Sequence, residues 1–327
     1  MKHDYLRKFF VVNALVTTLN RMAPLKTLVM DLIYPEAVRK NHPYDRLTKS
    51  DLQKASKNIP LVTRGSASYP VKMDKLKLEQ IDPANLTPSI TIDASDLNRF
   101  KTLTEGQQQI LIDNNIDFLR KSVRKSTEAM AMQSIMGKLE YDIRNGDGTM
   151  DVYSLDFGTP KAIAIDKKWD AAETKAGDIT ASVGQIVKSV QETSDGTDIV
   201  HLIKWDVYSA LVNKAGELNN PELIKVFPDH IQIGSAKFIL CSPRYYSYKT
   251  KSYVDAIPNK TVVSIAKDDT FALYYCALDS IDANFAALPF YVKPVEMDDP
   301  EGVKLIAQSR PMPLPNVDAI RTAQVLA

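Results

Sequence analysis

The longest regular pattern of apolar and polar positions runs from residue 104 to about 139. Ile112, Ile116, Leu119, Val123 and Met130 recur at spacings of three, four and seven, which marks a single face of a helix. Asp113, Asp117, Arg120, Lys121, Arg124, Lys125 and Glu128 take the other side, with Asp117 and Lys121 spaced for an i, i+4 ion pair. Thr104 and Glu105 open the segment as an N-cap and an acidic first turn, and Gly137 frays its last turns. At about 1.5 Å per residue such a rod reaches roughly 50 Å, far beyond the usual three turns. A compact enzyme seldom needs one.

The pattern upstream is broken. Over residues 1–58 short apolar clusters (Leu6, Phe9, Phe10; Leu15, Val16, Leu19; Leu28, Val29, Met30) are divided by Pro24, Pro35 and Pro43. This is poor material for a self-contained core, so the segment reads either as an arm needing another surface or as an N-terminal helix packed on its own domain. Lys2, Arg7 and Lys8 before the run Phe9 to Val12 have the look of a signal peptide, but Asn13 interrupts it and no small-residue cleavage site follows. An amphipathic arm is expected.

From residue 59 to about 96 the period becomes two. After the flexible lead Arg64, Gly65, Ser66 and Ala67, the residues Tyr69, Val71, Met73, Leu76 and Leu78 alternate with Lys72, Asp74, Lys75, Lys77 and Glu79. Asp82 to Asn85 form a turn, and a second strand-like run at 89–92 completes a predicted two-stranded extension. So polar a hairpin leans on something else.

Beyond the long helix, Asn145, Gly146, Asp147 and Gly148 make a hairpin turn leading to strands at 150–157 and 162–165. Residues 178–282 alternate helix (179–191, 205–214) with strand (199–203, 231–241, 261–265, 271–277), the pattern of a small α/β domain. Strand-like runs at 290–297 and 303–308 and then Pro311, Pro313 and Pro315 close the chain.

Charge and composition narrow the function. Lys+Arg 41 against Asp+Glu 40 in 327 residues leaves no basic excess with which to condense nucleic acid. Cys241 and Cys276 are too few for a disulfide framework and read as small buried apolar residues. No apolar run approaches the ~20 residues that span a bilayer, so a soluble protein made in a reducing cytoplasm is expected.

Candidate chemistry is sparse. His3, His42, His201 and His230 never fall at metal-ligand spacings, and His201, inside an apolar strand, reads as a satisfied core histidine. Aligning Gly148 with the glycine of a calcium-binding loop puts Ile143 and Ser154 at ligand positions, so that segment is only a turn. No GxGxxG, Walker A or GxSxG motif is present, and no metal or cofactor is expected. Tyr245, Tyr246, Tyr248 and Tyr253, interleaved with Arg244, Lys249 and Lys251, are the one cluster that could stack on bases. The plainer reading, favoured by the neutral overall charge, is a solvated loop or a contact between subunits.

Arm, hairpin, long helix, α/β domain and β-rich return form the order of elements in tailed-phage capsid subunits of the Hong Kong 97 type. In detail the chain resembles the major capsid protein E family, the lambda-type coat proteins, over nearly its full length. Tyr69-Pro70-Val71-Lys72 resembles the entry to that family's extended loop, and residues 104–137 its spine helix. The run from Ala307 to Leu314, with Asp318 and the ending Gln324-Val325-Leu326-Ala327, is similar to the family's closing strand and terminus.

The resemblance implies an α+β protein with an arm (1–58), an extended β-hairpin loop (59–100), a peripheral domain with the spine helix (101–177), an α/β axial domain (178–282) and return strands to the peripheral domain (283–327). It implies a structural subunit of the virion that assembles in the host cytoplasm into hexamers and pentamers of an icosahedral shell. The shell encloses double-stranded DNA without sequence-specific binding. A separate scaffolding protein, a portal, often a maturation protease and possibly a decoration protein are the implied partners; no membrane is involved. Candidate contacts between copies are Phe9 and Phe10 of the arm, Arg64, Tyr69, Lys72, Lys75 and Lys77 of the loop, Arg120 and Arg124 of the helix, and Tyr245 and Tyr246. Lysines stand where the fold's namesake forms Lys–Asn crosslinks, but the lambda-type branch uses a decoration protein instead, so crosslinking is not expected. No long acidic N-terminal helix is present to act as a built-in scaffold. Two other readings remain: an encapsulin-type nanocompartment, and a Cys-His hydrolase in residues 178–282, which requires an exposed, acidic thiol.

Overall fold

The computed structural model describes residues 12–48, 80–194, 198–218, 223–255, 257–267 and 270–327. The strand expected over 69–78 lies outside them, as do Phe9, Phe10, Arg64, Tyr69, Lys72, Lys75 and Lys77.

The described helices are α1 (Val12–Arg21), α2 (Leu28–Leu32), α3 (Ala94–Lys101), α4 (Glu105–Ser134), α5 (Ala176–Gln191) and α6 (Trp205–Leu218). At 30 residues, α4 is the expected rod, about 45 Å long. The Gln107 side chain reaches back to accept the Thr104 N–H at 3.1 Å, closing its first turn. Its burial changes along its length. Gln108, Ile112, Ile116, Leu119 and Val123 form one buried stripe, whereas every residue from Thr127 to Ser134 is buried. The helix ends earlier than its pattern predicts because Gly137 turns the chain at φ +83°, where a Cβ would stand 1.8 Å from the Gly158 carbonyl oxygen. Lys138–Arg144 then forms a strand, paired antiparallel with Met150–Asp156 through the expected turn.

A seven-stranded sheet organises the α/β region in the order Lys161–Ile163, Ile320–Gln324, Thr261–Lys267, Asp198–Ile203, Ala236–Leu240, His230–Ile233, Ile224–Val226. Its central strands are covered on both faces, which explains their unbroken apolar runs. Val262 and Ile203 pack with Ile179, Val183 and Ile186 of α5 and Val207 and Leu211 of α6. Val263, Ile265, Val200 and Leu202 pack instead with Ala131, Met132 and Ile135 at the end of α4, and with Val29 and Met30 of α2.

The other half of α4 lies on a three-stranded antiparallel sheet in which Glu301–Gln308 is central, flanked by Tyr291–Asp298 and Ser89–Asp93. Val303, Leu305 and Ala307 alternate inward to meet Ile112, Ile116, Leu119 and Val123, with Leu15 of α1 on the same cluster. Two expectations are corrected here. The run at 89–92, expected as the second arm of a hairpin, pairs with the closing strand Glu301–Gln308, Ile92 opposite Val303, and the expected first arm at 69–78 lies outside the described residues. Residues 94–101, placed within the extended loop, form α3, capped by Asp93, whose carboxylate accepts the Asp96 N–H at 2.8 Å. Leu47–Thr48 and Gln80–Ile81 form a short antiparallel ladder, Leu47 opposite Ile81 and Thr48 opposite Gln80.

Of the two readings of the N-terminal segment, the structure shows the second for residues 12–48: Leu15, Val29, Met30 and Tyr34 are fully buried against their own chain. Met130 joins a further cluster with Leu47, Ile81, Met312 and Leu314, so α4 contributes to three separate cores.

Candidate assembly surface

Part of the charged side of α4 is engaged within its own chain. Arg120 Nη2 donates to the Ala23 carbonyl at 2.6 Å, and Arg124 donates from Nε to the Thr27 hydroxyl at 2.9 Å and from Nη2 to Asp31 at 2.5 Å. Glu128, buried despite its charge, accepts the N–H groups of Val29 at 2.6 Å and Met30 at 2.8 Å. These charge-assisted bonds satisfy donors at the first turn of α2 and fix the N-terminal segment along the helix. Desolvation works to raise the Asp31 pKa, but the Thr27 N–H and the guanidinium groups of Arg39 and Arg124 outweigh it and hold the carboxyl below its usual range. With both engaged in this way, Arg120 and Arg124 are fastenings within the subunit.

The exposed surface of the same helix is unusual in another way. Ile110, Leu111 and Phe118 are 59%, 43% and 63% exposed, off the buried stripe of an otherwise regular amphipathic helix. Ile110 and Leu111 border a groove of about 580 Å³ between α4, α3 and the strand at Ile90–Ile92, with Phe100 at its base. Apolar surface of this kind on a long helix marks a place where another surface packs. The sequence carried its signal, a Phe118 adjacent to the buried Leu119, one position out of phase.

Arg310 fixes the root of the loop. Its guanidinium is almost wholly buried and donates to the Pro83 carbonyl at 2.8 Å, to Asp82 at 3.0 Å, and more loosely to the Ala277 carbonyl and Asp279. Tyr153 adds a bond to the Asp82 carbonyl at 2.7 Å, and Leu86 bridges to Ser309. Four stretches distant in sequence, at residues 82–86, 153, 277–279 and 309–310, are thereby joined.

Tyr245 and Tyr246 lie on a hairpin formed by Arg244–Ser247 and Ser252–Asp255. Tyr245 is half-buried, whereas Tyr246, Tyr248 and Tyr253 are exposed and meet edge-to-face, with Tyr246 5.2 Å from Tyr248 and 5.3 Å from Tyr253 between ring centroids. The Asp142 carboxylate accepts the Tyr248 and Lys249 N–H groups, seating the hairpin on the strand Lys138–Arg144.

Cys241 and Cys276 are both buried. Burial, with Glu128 nearby, pushes the Cys241 thiol up to about 12, away from the reactive range. His201 stacks on Phe238 at 4.7 Å and its Nδ1 shares a hydrogen bond with the Ser264 hydroxyl at 2.7 Å; burial lowers its pKa to about 4. It is a neutral core histidine with a satisfied ring nitrogen. Among the described residues no group of three His, Cys, Asp or Glu side chains could hold a metal, and no helix is long and apolar enough to cross a membrane.

Residues 11–325 match the family described as Phage major capsid protein E. Among solved structures, a prophage protein of Escherichia coli CFT073 assigned as a capsid protein aligns with a TM-score of 0.65 at 16% identity, covering 97% of this chain and 99% of its own. A phage-related protein of Bordetella bronchiseptica RB50 aligns with a TM-score of 0.54 at 9% identity, covering 96% and 97%. At such identities the likeness is one of fold, and the fold is that of a phage capsid subunit. No curated protein matches the chain.

Proposed function

Because the chain belongs to the phage major capsid protein E family, we propose that it builds an icosahedral head by packing copies of itself into hexamers and pentamers around double-stranded DNA. The observation that carries this reading is the apolar face of α4. Ile110, Leu111 and Phe118 stand in water on a helix otherwise patterned for burial, and a monomer gains nothing from that. In a shell the same patch recurs on every copy, and many modest contacts then sum to a stable assembly.

In this reading residues 101–177 and 283–327 form the peripheral domain, with α4 as its spine, and 178–282 the axial domain around five-fold and six-fold positions. The arm and the extended loop reach neighbouring copies through Phe9, Phe10, Arg64, Tyr69, Lys72, Lys75 and Lys77, and the hairpin of Tyr245 and Tyr246 adds a contact. Because residues 12–48 are fastened to their own chain, the arm's reach comes from what precedes Val12. The near-neutral charge suits a container that does not grip its contents. The protein performs no catalysis; it assembles in the host cytoplasm with a separate scaffolding protein and a portal.

Negative-stain electron microscopy of the purified protein, expressed alone and with its neighbouring genes, tests this. Closed shells or rings of five and six are expected, with particle diameter separating a phage head from a small nanocompartment. Monomers or dimers alone under both conditions would overturn the proposal.

A further inference from the structure

A second groove, of about 350 Å³, lies on the far side of the N-terminal segment, between residues 25–28, the later turns of α4, and Pro243–Arg244. Its floor is apolar, made by Leu25, Leu28, Ala129, Met132 and Pro243, and its rim carries Lys26, Lys121, Arg124, Lys125 and Arg244. Glu128 is the one acidic residue among the lining side chains, and both of its oxygens are bound to the N–H groups of Val29 and Met30. Three of the five cations have carboxylate partners: Lys121 with Asp117, Arg124 with Asp31, and Arg244 with Asp255. Lys26 and Lys125 form no ion pair among the described residues, and both are exposed.

We propose that this groove docks an acidic peptide segment of a separate protein, with one large apolar side chain seated on the floor and carboxylates meeting Lys26 and Lys125. The inference rests on the chain being a shell subunit, which a transient assembly partner must address. Charge complementarity selects an anionic occupant, and the apolar floor selects the class. A phosphate backbone offers nothing to fill a hydrophobic seat, whereas a Leu or Phe flanked by Asp and Glu satisfies both halves of the site. Burying such a side chain supplies affinity, and the unpaired lysines supply orientation and a salt-sensitive on-rate.

The test is fluorescence anisotropy of a labelled short peptide carrying Leu and Phe at helical spacing between Asp and Glu residues, titrated with the full-length unassembled subunit. Saturable binding is expected, weakened about tenfold or more by Lys26→Glu combined with Lys125→Glu. A peptide with Lys in place of Asp and Glu should recover binding to that double variant. Neither lysine has an ion-pair partner among the described residues, and an unchanged melting temperature checks that the variant folds. No binding, binding indifferent to the charge reversal, or equal binding of an analogue with Ser in place of Leu and Phe would overturn the inference. So would a DNA duplex that binds with the same dependence and displaces the peptide, or self-association that the reversal abolishes without any peptide binding. Electron microscopy of the same preparations keeps the two readings apart. Shells that form without peptide binding sink only the docking groove, whereas failure to form shells under any condition sinks the capsid reading.

Discussion

Asp31 and Arg124, 93 residues apart in sequence, meet at 2.5 Å, and this pair ties the N-terminal segment to the long helix. Arg39 reaches the same carboxylate at 2.7 Å, so one acid serves two guanidinium groups. The folded pKa of Asp31 lies below its unfolded value, so its contribution is present above about pH 4 and is lost as pH falls through the folded value. Asp31→Asn is expected to remove about 1 kcal/mol near neutrality, a figure kept small because the carboxylate is partly exposed. The gap between thermal melts of variant and parent should narrow as pH falls through the lowered folded pKa of Asp31; an equal gap at every pH would refute the electrostatic account.

Glu128 presents a sharper case, because its partners are buried main-chain donors. Glu128→Ala leaves the N–H groups of Val29 and Met30 without acceptors and is expected to destabilise the subunit by about 3 kcal/mol, with Glu128→Gln near half of that. Denaturant titration of the unassembled subunit measures both, and near-neutral values would show that the segment does not depend on this carboxylate.

Phe118 separates stability from assembly. At 63% exposure, Phe118→Asp should change subunit stability by no more than about 0.5 kcal/mol, while Phe118→Asp combined with Ile110→Asp abolishes shell formation. Sedimentation and electron microscopy read the second effect. Shells of normal yield from the double variant would remove the helix face from the interface.

The two thiols should be silent. Cys241 and Cys276 are expected to resist a thiol reagent in the native protein and to react on unfolding. Fast native labelling of either would reopen the hydrolase reading.

The stripe of Ile112, Ile116, Leu119 and Val123 was legible because helix periodicity is local: each residue announces its face through neighbours three and four positions away. The same holds for the helix at 176–191 and for His201, whose apolar flanks marked it as core. What sequence could not supply was partnership across long separations. Nothing in Ser89–Asp93 points to Glu301–Gln308 as its mate, and the nearer run at 69–78 was the default choice. Arg120 and Arg124 read as contacts between copies, because a charge bound within its own chain has the same spelling as one that meets a neighbour. The end of α4 was misjudged for a related reason, since Gly137 acts through the Gly158 oxygen, 21 positions away by residue number.

Arg310 reaches Pro83 and Ala277 through their carbonyl oxygens, which every residue type carries. The contact therefore constrains the path of the chain at those two positions and leaves their side chains unspecified. A scaffold fastened in this manner can drift far in composition as long as the fastening residue stays put and the backbone returns to the same point. The fastening holds a geometry that the composition of the fastened stretches does not dictate.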